Sequence, residues 1–295
     1  MLEDLRPDGR VLLTDGRFRI GMAHRDVRTR TERDLSWLDV SVLGDLSPDG
    51  RTLLFSQTGS GGRGGMYTLY ARDADGSPAV RLGDGVAMGL SPDGRWALCF
   101  RRQPSKGIVL LPTRAGEPRV VPSDIENASW AAWFPDGKRI LIAGSSGGKR
   151  PRLWVQDISR PTATPVAEEG VTAPAAISPD GALVAARDST MTLVLYPADG
   201  AGAPRRFAGQ VGNELPVLWS ADGKAIFLLR RGGWPARVFR LDVATGRTEP
   251  WKEIEPVDPA GLVYIAPLHL TPDARSFAYS YGRVLSDLYL VDDVR

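Results

Sequence analysis

The sequence predicts an all-β chain built as a propeller of four-stranded antiparallel blades, and two observations carry that prediction. One short turn recurs seven times: Pro7-Asp8-Gly9, Pro48-Asp49-Gly50, Pro92-Asp93-Gly94, Pro135-Asp136-Gly137, Pro179-Asp180-Gly181, Ala221-Asp222-Gly223 and Pro272-Asp273-Ala274. Successive turn aspartates are 41, 44, 43, 44, 42 and 51 residues apart, the length of four short strands with their turns. Each turn also precedes an apolar run, such as Leu53-Leu54-Phe55, Ile140-Leu141-Ile142 or Phe277-Ala278-Tyr279. Such runs read as buried strands.

In the turn, proline presets φ, aspartate accepts hydrogen bonds from its own loop, and glycine takes the left-handed conformation. Ala274 stands where that glycine should be, so the last turn is expected to change type. The run after each turn is strand two of a blade. A second set of runs, including Ile108–Leu111, Leu153–Val155, Leu193–Tyr196 and Leu288–Val291, is strand three. A further turn at Asp75-Gly76-Ser77-Pro78, Gly116-Glu117-Pro118-Arg119 and Gly202-Ala203-Pro204-Arg205 leads into an outer strand four, guarded by proline and arginine.

Seven turns predict seven repeat units in one domain, residues 1–295; six blades plus a terminal hairpin is the alternative. Val11-Leu12-Leu13 follows the first turn and reads as a strand two. The chain stops soon after Leu288–Val291, so the last blade is expected to be incomplete or closed by the N-terminus. With only Met1–Leu5 ahead of the first turn, the sequence reads as a domain of a longer parent. Pairing of Met1–Leu5 as the fourth strand of the last blade would overturn that reading.

Thirty-seven basic and 35 acidic side chains are interspersed, for a formal charge of +2. That balance gives no electrostatic footprint for nucleic acid or an anionic membrane. Cys99 is the one cysteine and sits inside a strand run, so it is expected to be a buried hydrophobe. No leader pattern and no stretch of membrane-spanning length is present.

Several motifs point to chemistry that their surroundings do not support. Gly59-Ser60-Gly61-Gly62-Arg63-Gly64 has dinucleotide-loop spacing, and Gly144-Ser145-Ser146-Gly147-Gly148 has nucleophile-elbow spacing, but each is followed by a strand instead of a helix. His24-Arg25-Asp26 copies the start of a kinase catalytic loop, yet position 31 is Thr31 where that loop needs asparagine. His24 and His269 are the only histidines, and no transition-metal or calcium-ligand spacing is found. Paired carboxylates among Asp39, Asp45 and Glu214 are too scattered in sequence to argue a separation. No catalytic residue, metal or cofactor is assigned.

Aromatic residues give the site expectation. Trp37 and Trp130 are placed where strand four returns to the next strand one, and Trp234 in a loop between strands two and three. These loops share one face of a propeller. With Asp39, Asn213, Glu214, Arg231 and Arg283 they are expected to form a concave ligand or partner surface.

The tryptophan-or-apolar, Ser-Pro-Asp-Gly-Lys/Arg, apolar-strand pattern resembles the WD-like repeats of TolB-type propellers. More narrowly, the stretches Glu32–Asp39, Trp133–Leu141, Pro235–Asp242 and Leu285–Leu290 are similar to the C-terminal propeller of acidobacterial-type serine/threonine protein kinases. That resemblance implies a sensor or interaction module in the extracytoplasmic or periplasmic part of a membrane-anchored receptor kinase. This chain has no kinase domain and no membrane segment, and as written it carries no signal to leave the cytoplasm. The expected function is non-catalytic recognition of a protein or small molecule, without nucleic acid or direct membrane contact. The alternative is an accessory or gating propeller of an enzyme, prolyl-oligopeptidase-like or a channel-face lyase.

Overall fold

A computed structural model describes residues 2–5, 10–26, 29, 31–58, 67–101, 107–171, 173–230, 232 and 234–291. The repeated turn is built as its residues dictate. Gly50 N–H donates to Ser47 O at 2.8 Å, Asp49 Oδ1 accepts from the Ser47 hydroxyl at 2.6 Å and from Arg51 N–H at 3.0 Å, and Ser47 Oγ accepts from Thr52 N–H at 2.8 Å. The same hydroxyl–carboxylate pair recurs at Ser91–Asp93, Ser178–Asp180, Ser220–Asp222 and Thr271–Asp273. The turn aspartates therefore hold their own loops together. Pro7-Asp8-Gly9 lies outside the described residues.

The glycines close these turns at φ between +65° and +73°. Ala274 does not change the turn, contrary to expectation. It adopts φ +54°, its N–H donates to Thr271 O at 2.7 Å, and Asp273 still accepts from Arg275 N–H at 3.0 Å. Its neighbours' bonds outweigh a left-handed alanine, which costs about 1–2 kcal/mol. Ala274→Gly removes that strain at an entropic cost of about 0.5–1 kcal/mol. The variant is expected to gain about 0.5–1 kcal/mol in urea unfolding.

The same bonds give a pH dependence. Hydroxyl donation from Ser91, Ser178, Ser220 and Thr271, followed by backbone N–H donation, holds Asp93, Asp180, Asp222 and Asp273 below the ordinary carboxylate value of 3.8. A carboxyl with a depressed folded value contributes stability that is present above the unfolded value and lost as pH falls through the folded one. The melting temperature is thus expected to hold down to about pH 4 and then fall, with a shallower fall in Ser91→Ala.

In chain order the strands are β1 (Leu2–Leu5), β2 (Val11–Asp26), β3 (Thr31–Asp34), β4 (Val40–Leu46), β5 (Thr52–Thr58), β6 (Thr68–Asp73) and β7 (Val80–Asp84). Next come β8 (Val86–Leu90), β9 (Trp96–Arg101), β10 (Gly107–Pro112) and β11 (Arg119–Val120), then β12 (Glu126–Trp133), β13 (Arg139–Ser145), β14 (Arg152–Asp157) and β15 (Ala163–Pro165). They are followed by β16 (Ala176–Ile177), β17 (Leu183–Arg187), β18 (Thr192–Pro197), β19 (Arg205–Val211), β20 (Glu214–Trp219), β21 (Ala225–Arg230), β22 (Ala236–Asp242) and β23 (Thr248–Ile254). The last two are β24 (Leu262–Leu270) and β25 (Ser276–Val291). Among the described residues there is no helix, hence none long and apolar enough to cross a membrane.

Strands β8–β11, β12–β15, β16–β19 and β20–β23 form four separate four-stranded antiparallel sheets. The other strands share a nine-stranded sheet that narrows to a single parallel bridge, Ile20 to Val40. On one side of the bridge lies the group β4-β5-β6-β7, and on the other β24-β25-β2-β3. The described residues therefore form six four-stranded groups, and the seven-sheet count is not confirmed. Val11–Leu13 opens no sheet of its own but pairs with Tyr289–Val291. Leu288–Val291, expected as a strand three, continues the strand that began at Ser276.

The last blade is closed by the N-terminal strands. Its third strand is the inner half of β2, with Met22 opposite Ser280, and its outer strand is β3, with Asp34 opposite Ala23. The outer strand expected to be missing is thus present, and it is not Met1–Leu5: β1 pairs with Val11–Leu13 instead.

Six apolar clusters lie between neighbouring groups. Phe134, Leu141, Val184 and Tyr196 join the third group to the fourth, and Met22, Leu43, Phe55 and Ala278 join the last to the first. The sheets therefore pack face to face around a closed ring.

Candidate ligand site at the turn-bearing mouth

Each group's innermost strand (β4, β8, β12, β16, β20 and β24) runs into a turn. The residues immediately before the turn are Leu46, Leu90, Trp133, Ile177, Trp219 and Leu270; the residues one step earlier are Asp45, Gly89, Ala132, Ala176, Leu218 and His269. Both sets line one axial cavity of about 440 Å³, rimmed by the turn prolines Pro48, Pro92, Pro135, Pro179 and Pro272 and by Ala221. A regular strand sends adjacent side chains to opposite faces. Here the register slips between Leu43 and Asp45, Ala87 and Gly89, and Pro216 and Leu218, so neighbours can share the axis.

The wall is apolar except at one place. Of the residues lining the cavity, only Asp45 and His269 are ionisable, and they stand side by side, with His269 Nδ1 3.4 Å from Asp45 Oδ1. Asp45 is fixed from two blades: its Oδ1 accepts from Leu46 N–H at 2.8 Å and its Oδ2 from Leu90 N–H at 2.7 Å. A methyl group added to Gly89 would lie 3.5 Å from both Asp45 Oδ2 and Trp133 Cδ1. A side chain longer than alanine there would intrude between carboxylate and ring. The mouth thus offers an oriented carboxylate and imidazole within an apolar, aromatic wall, as small-ligand sites do.

The predicted surface residues are placed as follows. Trp37 and Asp39 lie in the connection between β3 and β4, with the Arg72 guanidinium 5.6 Å from the Trp37 ring. Asn213 precedes β20, whose first residue is Glu214. Trp234, half exposed, lies between β21 and β22. Trp37 and Trp234 thus lie in connections between strands, Glu214 lies in a strand, and Arg231 is outside the described residues. Trp130 is a correction. The return from the preceding blade ends by Ile125, so Trp130 falls inside β12 and lines the cavity at the turn-bearing end.

Two of the expected surface residues are held by ion pairs. Burial would raise the Glu214 carboxyl, but Arg230 at 2.8 Å, with Arg187 at 3.8 Å, holds it below its ordinary value. Arg283 pairs with Asp258 at 2.9 Å and lies over the Tyr281 ring. Asp45 and His269 were legible as residue types, but their shared position two steps before the turn's first residue was the signal that sequence reasoning did not use.

The tempting motifs stay structural where they are described. His24-Arg25-Asp26 is part of the β2 ladder, and Gly144 to Gly148 leads from β13 toward β14 without a helix. Gly59 to Gly64 lies outside the described residues. Cys99 is fully buried, which pushes its thiol up to about 12 and leaves no thiolate to react. Among the described residues, no three His, Cys, Asp or Glu side chains are placed to hold a metal ion.

No family model matches the sequence, and no curated protein matches it. Solved structures do. A putative TolB from Agrobacterium tumefaciens aligns with TM-score 0.64 at 21% identity, covering 91% of this chain and 99% of that one. TolB from Acinetobacter baumannii aligns with TM-score 0.55 at 19% identity, covering 93% and 67%. An oligogalacturonate lyase in complex with manganese aligns with TM-score 0.58 at 16% identity, covering 90% and 77%. These neighbours do not support the narrower resemblance to kinase sensor propellers. At such identities the likeness shows the fold alone, which is that of a TolB-like β-propeller.

Proposed function

We propose that this chain is a non-catalytic recognition propeller whose ligand, a protein segment presenting an apolar group beside a cationic end, seats in the axial mouth. The observation that carries this reading is the wall composition: six inner strands build one apolar cavity in which the only carboxylate is Asp45. An oriented carboxylate in low-dielectric surroundings favours a cationic hydrogen-bond donor, and the rings of Trp130 and Trp133 supply apolar contact. Carried by a receptor-type kinase, as the sequence resemblance implies, the same mouth would be the sensing surface.

Phenethylammonium and its neutral counterpart, phenethyl alcohol, are suitable probes by ligand-observed NMR. The ammonium is expected to bind saturably, and Asp45→Asn to weaken it roughly tenfold, the value of one charge-assisted hydrogen bond. Equal binding of both probes, unchanged in Asp45→Asn, would remove the proposed site. Turnover of oligogalacturonate that is lost in His269→Ala would overturn the non-catalytic reading.

A further inference from the structure

Beyond the ring, β2 and β25 continue together as a ribbon. They pair residue for residue from Phe18 opposite Val284 to Val11 opposite Val291, and β1 adds only at the far end. The pairing of β24 with β25 stops at Arg283. Among the described residues no strand covers the edge of β25 past that point.

The direction of the open groups follows from strand alternation. Val284 N–H donates away from β2, to Gly261 O at 2.8 Å. The main-chain groups of Ser286, Leu288 and Leu290 therefore face the open side, and those of Leu285, Asp287 and Tyr289 face β2. Other outer strands carry guards against pairing: Arg81 on β7, Arg119 on β11, Arg205 and Arg206 on β19, Lys252 on β23. The stretch from Val284 to Val291 has no proline and one charge, Asp287.

The ribbon is also two-faced. Val284, Leu288, Leu290 and Phe18 share a face on which β2 and β25 place no charged side chain, the one carboxylate there being Asp4 on β1 at the far end, and they are 41%, 65%, 56% and 50% exposed. Asp287, Asp15 and Arg17 lie on the other face. A ribbon of this width is marginal without a further strand.

We propose that this edge is the contact between two copies of the chain, with β25 pairing antiparallel to β25 of a second copy about a two-fold axis at Leu288. The edge is complementary to itself in that register. Leu288 meets the partner's Leu288, Ser286 meets the partner's Leu290, and Asp287 falls opposite the partner's Tyr289, so the two carboxylates are not opposed. The contact is isologous and closes at two copies. It joins the faces of both ribbons that carry Leu288 into one surface. An edge this short buries less than the ~800 Å² per partner of a tight interface, so a dissociation constant on the order of micromolar is expected.

Sedimentation velocity of the 295-residue chain, over roughly 1–100 μM, tests this. The expected result is a monomer–dimer equilibrium. Leu288→Lys opposes two like charges at the axis and should raise the dissociation constant at least about tenfold with the melting temperature unchanged. Leu288→Cys should form an intermolecular disulfide in air, because opposed residues of a hydrogen-bonded pair sit about 5.5 Å apart. Cys99, being buried, should not cross-link the parent chain. A chain that stays monomeric, even if it binds some other strand at this edge, overturns the assignment. So does a dimer indifferent to Leu288→Lys, or a Leu288→Cys variant that fails to cross-link.

Discussion

Ala23→Pro is expected to cost at least about 3 kcal/mol, a large share of the roughly 5–15 kcal/mol that holds a domain folded, and to lower the denaturation midpoint accordingly. Ala23 sits in the third strand of the closing blade, opposite Tyr279 in β25 and Asp34 in β3. Its neighbour Met22 turns its main chain the other way: its N–H donates to Ser36 Oγ at 3.1 Å and its carbonyl accepts from Leu35 N–H at 2.8 Å. Ala23 N–H therefore points into the ladder with β25, where proline offers no donor and its ring meets a fully packed neighbour. Ala23 also belongs to the cluster with Phe227, Phe277 and Tyr279 that joins the fifth group to the last. Gly16→Pro, on the same strand but in the ribbon, is the control. Its N–H points to the open side, so its denaturation midpoint is expected to stay near the parent's. Equal losses in the two variants would show that ring closure does not depend on the inner half of β2.

Phe134→Ser is expected to lower stability by roughly 2–4 kcal/mol, although it installs the residue that most of the other described turns carry. Four of those turns begin with serine and one with threonine; the third begins with Phe134. Without the hydroxyl, Arg139 takes over. Its Nε donates to Asp136 Oδ2 at 2.6 Å, and its guanidinium lies over the Phe134 ring at 4.4 Å. The ring itself is fully buried in the cluster between the third and fourth groups. Removing it costs about 3–5 kcal/mol in a core, and a serine hydroxyl returns about 1 kcal/mol. Packing decides the sign. Urea unfolding of Phe134→Ser beside Phe134→Leu separates the terms, because leucine keeps most of the apolar volume and is expected to lose less.

The turns were legible because their chemistry is local: a hydroxyl, a proline, a carboxylate and a glycine within four residues, with single exceptions at Phe134, Ala221 and Ala274, and the turn carboxylate accepts a following backbone N–H at every described site. The strand after each described turn was legible for a similar reason, as at Ile140–Ile142 and Ile226–Leu229, whereas Val11–Leu13 after the first turn pairs with the end of the chain. The end of the chain was not. The sequence divides Phe277–Tyr279 and Leu288–Val291 into two strands, yet they belong to one, and Gly282 lies within it where the Tyr264 ring occupies the space a side chain would need. A glycine demanded by a neighbour's ring cannot be told from one demanded by a turn without knowing which strands are adjacent. The mouth was hidden for another reason. Slipped registers at Gly44, Met88 and Val217 bring adjacent residues to one space, and an alternation rule assigns one of each pair to the wrong face.

Pairing Val11 with Val291 also gives the molecule an order of assembly. During synthesis β2 appears long before β25, and for about 250 residues the inner half of β2, with His24 and Met22, has β3 on one edge and nothing on the edge that β25 will fill. The five earlier four-stranded groups are made of neighbours in sequence and can form as they emerge, whereas the final ladder must close a loop of nearly the whole chain. The step that completes the ring is therefore the slowest to find its partner, and until then the nascent chain exposes an apolar strand of the kind that chaperones bind.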